Sequence, residues 1–205
     1  LSGPVAEKIA EKMGRSRENA EWKFEGASVL TAKFELGKLP RLINLVSVSV
    51  LQNFIEQVLQ NENVDLIGLD AFDEIRVLEG VPRAGVDYGA DNFPQEAGLG
   101  DHISFNKGCY IGQEPHARMY HRGHPNWISV WLKIPENSEI VSGKKLFNAG
   151  KEIGKITSLG SFSKDSYYRG IAMIRYEAAK ENSLLGLTAN EPPLIIHEPL
   201  PSTIV

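Results

Sequence analysis

The chain has 205 residues, 42% of them hydrophobic and 23% charged, with a net charge of −4. That is the composition of a globular protein of one large or two modest domains. It offers no positive field for nucleic acid and no apolar run near the roughly 18 to 20 residues that a bilayer span needs. The single cysteine excludes an internal disulfide framework and points to a reducing compartment, cytoplasmic or alternatively the mitochondrial matrix. The opening Leu1-Ser2-Gly3-Pro4 lacks the basic-then-apolar pattern of a signal peptide. It is not a Met start, and a helical pattern follows at once, so it reads as the interior of a longer protein.

Val5, Ile9 and Met13 predict a short amphipathic helix over 4–13, with Pro4 in its first turn and Gly14 past its end. Alternation predicts strands over 28–36 and 41–50, joined by a turn from Gly37 to Pro40. Leu51, Phe54, Ile55, Val58 and Leu59 fall on one face of a helix over 51–62. A further helix over 70–80 is closed by Gly80 and Pro82. This order implies an α+β layer with helices on one face of an antiparallel sheet. Residues 83–101, rich in Gly, Pro, Asp and Asn, read as a long surface loop. A short strand over 102–106 and a short helix over 113–120 are expected next.

From residue 127 the pattern changes. Trp127 to Ile134 alternates, and short apolar segments follow at 145–147, 152–158, 168–175 and 194–197. Between them stand Gly143, Gly150, Gly154, Gly160, Pro192 and Pro193, which predicts a small β-barrel or sandwich. The expected domains are therefore 1–121, an α+β lobe, and 122–205, a C-terminal β-barrel.

The most informative segment is Lys107-Gly108-Cys109-Tyr110-Ile111-Gly112-Gln113-Glu114. Lys107 and the following helix start both favour a thiolate at Cys109. Gly108 and Gly112 permit a positive φ or a close backbone approach to a ligand. Gln113 and Glu114 supply an amide and a carboxylate, and Arg118 and Arg122 a locus for an anionic tail. The alternative is a small buried cysteine in a tight turn, with the charges solvated. His102, His116, His121 and His124 cluster nearby, yet with Cys109 they match no zinc spacing, so no metal site is assigned.

These residues, with Ala117-Arg118 and Arg122-Gly123 after them, resemble the signature of the YgfZ/Iba57 family, folate-binding T-protein-like proteins of iron–sulfur cluster maturation. Upstream, the resemblance extends to Arg76, Gly80-Val81-Pro82 and Pro94-Gln95-Glu96-Ala97-Gly98-Leu99, and downstream to Gly154-Lys155-Ile156-Thr157-Ser158. It implies the aminomethyltransferase fold of the glycine cleavage T-protein. The α+β segment, of ferredoxin-like type, would be the second lobe, followed by the barrel, with the first lobe missing or supplied by a partner chain. It also implies tetrahydrofolate as cofactor and a transient iron–sulfur cluster, with iron–sulfur assembly or client proteins as partners. In that reading Cys109 and Lys107 are the acting pair. Gly108, Tyr110, Gly112, Gln113, Glu114, Arg118 and Arg76 would contact the cofactor.

The sequence departs from the family pattern in three places. Leu78 stands where a glutamate is usual, with Glu79 about 100° around a helix from it. Pro115-His116 follows Glu114 where small or β-branched residues are common. The 41–50 strand lacks the folate-gripping glutamate of the aminomethyltransferases. The last point favours an iron–sulfur assembly or repair factor as the first reading. A folate-dependent aminomethyltransferase is the alternative, and a non-catalytic docking module a further one.

Overall fold

A computed structural model of the protein describes residues 1–15, 20–136, 138, 140–164, 166–180, 184–189 and 195–200. It is mixed α+β, as the sequence predicts. Contacts divide it into two compact units, Leu1–Phe72 and Asp73–Val205. This division lies upstream of residue 122. Residues 73–121 group with the later strands because Arg76 and Asp87 hydrogen-bond Ser158, and the Ser129 N–H bonds the Glu96 carbonyl.

In the first unit, α1 (Ala6–Lys12) precedes a three-stranded antiparallel sheet of β1 (Glu21–Phe24), β2 (Ala27–Leu36) and β3 (Leu39–Val46), in that order. Helix α2 (Val48–Leu59) and the start of α3 (Leu69–Leu78) follow. Strand β1 is short and was not expected. It pairs with β2 through a two-residue turn in which Glu25 (φ 47°) and Gly26 (φ 81°) both take positive φ, as a type I′ hairpin requires. The core lies on one face of the sheet: Trp22, Phe24 and Val29 pack with Ile9 and Met13 of α1 and with Phe54 and Val58 of α2. The Trp22 indole donates to Thr31, which donates to Asn44, so these side chains are paired across the sheet.

The strand expected over 41–50 ends at Val46, and α2 begins at Val48. Val48-Ser49-Val50 continues the alternation in sequence. Val50, however, also starts the i, i+4, i+8 series with Phe54 and Val58 that faces the core, and the helical period wins. The strand instead starts earlier and includes Pro40. The Pro40 carbonyl accepts from Gly3 on the outer side of β3, so its missing N–H costs the β2–β3 ladder nothing.

Helix α3 ends as predicted. Gly80 has φ 68°, its N–H bonds the Val77 carbonyl, and the Val81 N–H bonds the Arg76 carbonyl, the paired closure of a Schellman motif. In the second unit, β4 (Trp127–Pro135), β5 (Lys145–Asn148), β6 (Lys151–Lys164), β7 (Tyr167–Arg175) and β8 (Ile196–Pro199) form one antiparallel sheet in the order β5-β6-β7-β4-β8. Helix α5 (Tyr176–Lys180) follows β7 directly. Leu132, Ile134, Ile156, Ile171 and Ile174 are fully buried in its core. Gly154 is required where β6 pairs with β7, since a Cβ there would stand 2.1 Å from the Met173 carbonyl oxygen.

The expected barrel is present as a five-stranded sheet with two ends. The isolated bridges Phe147↔Gly186 and Leu185↔Ile195 lie between those ends, without a continuous closing ladder among the described residues. Pro192, Pro193 and the start of the segment expected over 194–197 lie outside the described residues. No helix among the described residues is long and apolar enough to cross a membrane.

Candidate functional site

The long loop after α3 is built around a buried ion pair. The Arg76 side chain is 3% exposed and that of Asp87 is 0% exposed. Burying such a pair is favourable only if the remaining donors and acceptors are also met. Here they are. Arg76 Nε donates to Asp73 at 2.8 Å, Nη1 to Asp87 at 2.5 Å and to the Val81 carbonyl, and Nη2 to Ser158 at 2.7 Å and to Asp73. All of its hydrogen-bond donors are used within the chain. The two Asp87 oxygens accept from Arg76 and the Arg83 N–H, and from Thr157 and Ser158. Arg76 was expected as a cofactor contact; the structure turns it inward, where it ties α3 and the loop to β6.

Asp73, at the edge of this network, has its carboxyl held below the usual 3.8, first by the hydrogen bonds from Arg76 and then by the charges of Arg76 and Arg83, against burial, which raises it. A folded value below the unfolded one means that ionised Asp73 stabilises the fold above about pH 3.8, and that this is lost as pH falls through the folded value. Urea unfolding should therefore show Asp73→Asn with a lower midpoint than the wild type at pH 6. The two midpoints should converge as pH falls through the folded value.

The segment Pro94–Leu99 forms a compact turn, with Gly98 at φ 74° and the Leu99 N–H bonded to the Pro94 carbonyl. Its Gln95 holds α4 (Gln113–Arg122). Gln95 Oε1 lies 2.8 Å from His116 Nδ1, and its amide donates to the His116 carbonyl. The expected strand over 102–106 is absent: a 3₁₀ turn over Gly100–His102 leads into irregular chain. Phe105 stacks on Tyr120 of α4 at 4.6 Å instead of joining the sheet.

The cysteine segment enters α4 through Gly112, left-handed at φ 87°. Cys109 is exposed, so the buried-thiol alternative does not hold. Lys107 places its ammonium 4.6 Å from the Tyr110 ring centroid. The Tyr110 hydroxyl is buried without a hydrogen-bond partner among the described residues, while Ile111 beside it is fully exposed. Tyr110 thus anchors the turn and leaves Cys109 and Ile111 outside. Gln113 opens the helix, half-buried. Glu114 and Arg118 are 88% and 78% exposed and 3.9 Å apart, a weak solvated pair. They border a shallow cleft with Phe93, Glu96 and Met119. Gly108 has open space around its Cα.

The histidines serve separate contacts. His116 bonds Gln95, His121 meets the Phe105 and Tyr120 ring edges, and His124 stacks on Tyr176. Among the described residues no group of three or more His, Cys, Asp or Glu is placed to hold a metal ion.

Two features were not legible beforehand. Thr157 and Ser158 lie in a quoted segment, but their partner Asp87 carries no sequence signal. A cavity of about 350 Å³ is lined by Phe105, Met119, Tyr120, His124 and Tyr176, with Asp101 among its polar groups. These positions are too far apart in the chain to form a motif.

No protein-family model matches the chain. It is 33% identical over 178 residues to an aminomethyltransferase of Desulfitobacterium hafniense, which covers 80% of this chain and 47% of that protein. It is 28% identical over 176 residues to an aminomethyltransferase of Lysinibacillus sphaericus, 77% of this chain and 46% of that one. The chain thus spans about half the length of these relatives. Among solved structures it matches the glycine cleavage system aminomethyltransferase T of Bartonella henselae. The TM-score is 0.73 at 21% identity, covering 98% of this chain and 57% of that one. The fold is that of the glycine cleavage T-protein.

Proposed function

We propose that the chain is a tetrahydrofolate-handling, aminomethyltransferase-like module for moving a one-carbon unit. The observation that carries this is the likeness to aminomethyltransferases across four-fifths of the chain. It reverses the order in which the sequence alone ranked the readings. The absence of an acidic residue from β3 favoured iron–sulfur assembly; the relatives favour transfer. In this reading Gln113, Glu114 and Arg118 are polar contacts for folate at the start of α4, with Arg118 suited to a folate carboxylate. Gly108 and Gly112 shape the approach, and Arg76 acts as a positioning residue through Asp87. The unmatched half of the relatives' length is a further source of folate contacts.

The exposed thiol favours a second reading, an iron–sulfur assembly or repair factor of the YgfZ/Iba57 kind. There Cys109 meets a transient cluster, and Lys107 and Tyr110 hold its turn. Turnover separates the two. A transfer module forms methylenetetrahydrofolate from an aminomethyl donor when supplied with the unmatched half of a relative. An assembly factor forms none, but raises the activity of an iron–sulfur client enzyme in a Cys109-dependent way.

A further inference from the structure

The 350 Å³ cavity in the second unit contains none of Lys107, Cys109, Gln113, Glu114 or Arg118, and the reading above makes no use of it. Its size is within the range of small-molecule sites. Its lining combines two stacked ring pairs, Phe105–Tyr120 with centroids 4.6 Å apart and His124–Tyr176 at 4.1 Å and 9°. Each pair is already in ring contact, so neither forms a slot for a flat ligand between its rings. What remains is ring surface and edge, together with Met119 and Ile128.

The charge of the lining decides the ligand class. Asp101 is its one carboxylate and has no hydrogen bond or ion pair with another described residue. No Lys or Arg lines the cavity. His124 Nδ1 lies 2.9 Å from the Pro125 carbonyl and Nε2 3.3 Å from the Glu177 carboxylate, so a proton gained by this ring is balanced by Glu177 rather than offered to a ligand. An anion would meet a carboxylate with no compensating cation, whereas an ammonium group meets that carboxylate and electron-rich ring faces.

We propose that this cavity is a binding site for a small alkylated ammonium cation, held by Asp101 and the Phe105, Tyr120 and Tyr176 rings. The inference stands apart from the folate reading, because it shares no residue with it.

Choline, titrated by calorimetry or ligand-observed NMR at pH 8, is the probe. Its neutral isostere 3,3-dimethylbutan-1-ol is the control. Choline should bind saturably and at least about tenfold more tightly than the isostere. Asp101→Asn should weaken it about fivefold. Tyr120→Leu should weaken it further. Both residues are exposed, and unchanged thermal melting would certify the fold of each variant. Equal affinity for choline and its isostere, no binding of choline, or affinity unchanged in Asp101→Asn would each overturn the proposal.

Discussion

Replacing Asp87 with alanine should cost about 3–5 kcal/mol of stability, the loss expected when one partner of a buried ion pair is removed. The carboxylate accepts four hydrogen bonds and faces a guanidinium that is itself buried. Its removal leaves the Arg76 charge half-paired and strips Thr157 and Ser158 of an acceptor. Urea unfolding followed by circular dichroism measures this. Arg76→Met combined with Asp87→Leu should lose less than the sum of the single changes, because the double variant buries no orphaned charge. A loss below about 1 kcal/mol in Asp87→Ala would show that the network is relaxed in solution.

Under the iron–sulfur reading, Cys109→Ser should remove function without touching the fold, whereas the transfer reading leaves turnover in place. The thiol is exposed and makes no packing contribution, so stability should stay within about 0.5 kcal/mol of the wild type. Activity that depends on the thiol should fall at least about 100-fold, while tetrahydrofolate binding is kept. In the unmodified protein a chromogenic disulfide reagent should titrate the thiol in the native state, without denaturant. A fully active Cys109→Ser protein, or one that unfolds, would contradict this role. Ile111→Ser is a useful companion. It sits beside Cys109, is equally open to solvent, and should be thermodynamically silent.

Much of the fold follows from local patterns that agree with one another. The alternation over Trp127–Ile134 becomes β4, whose Leu132 and Ile134 are fully buried. Gly80 and Pro82 close α3 as their chemistry dictates. Ambiguity arises where two periods overlap, as at Val48–Val50, and there the core partners of Val50 select the helix. Strand β1 is too short for its alternation to stand out, and its turn residue Glu25 is an uncommon choice for positive φ.

The cysteine turn was legible because its signal is contiguous. The Asp87 network and the aromatic cavity were not, since each is assembled from residues that only the tertiary fold brings together. Arg76 shows the converse risk: a charged residue within a recognisable segment was expected at a ligand, and the structure spends its donors internally.

The most direct test of the account is equilibrium binding of tetrahydrofolate, measured under anaerobic conditions for this chain alone and for the chain mixed with the unmatched half of its Desulfitobacterium hafniense relative. Saturable binding, tightened by that added half and preserved in Cys109→Ser, is the predicted result. No detectable binding under either condition would contradict it.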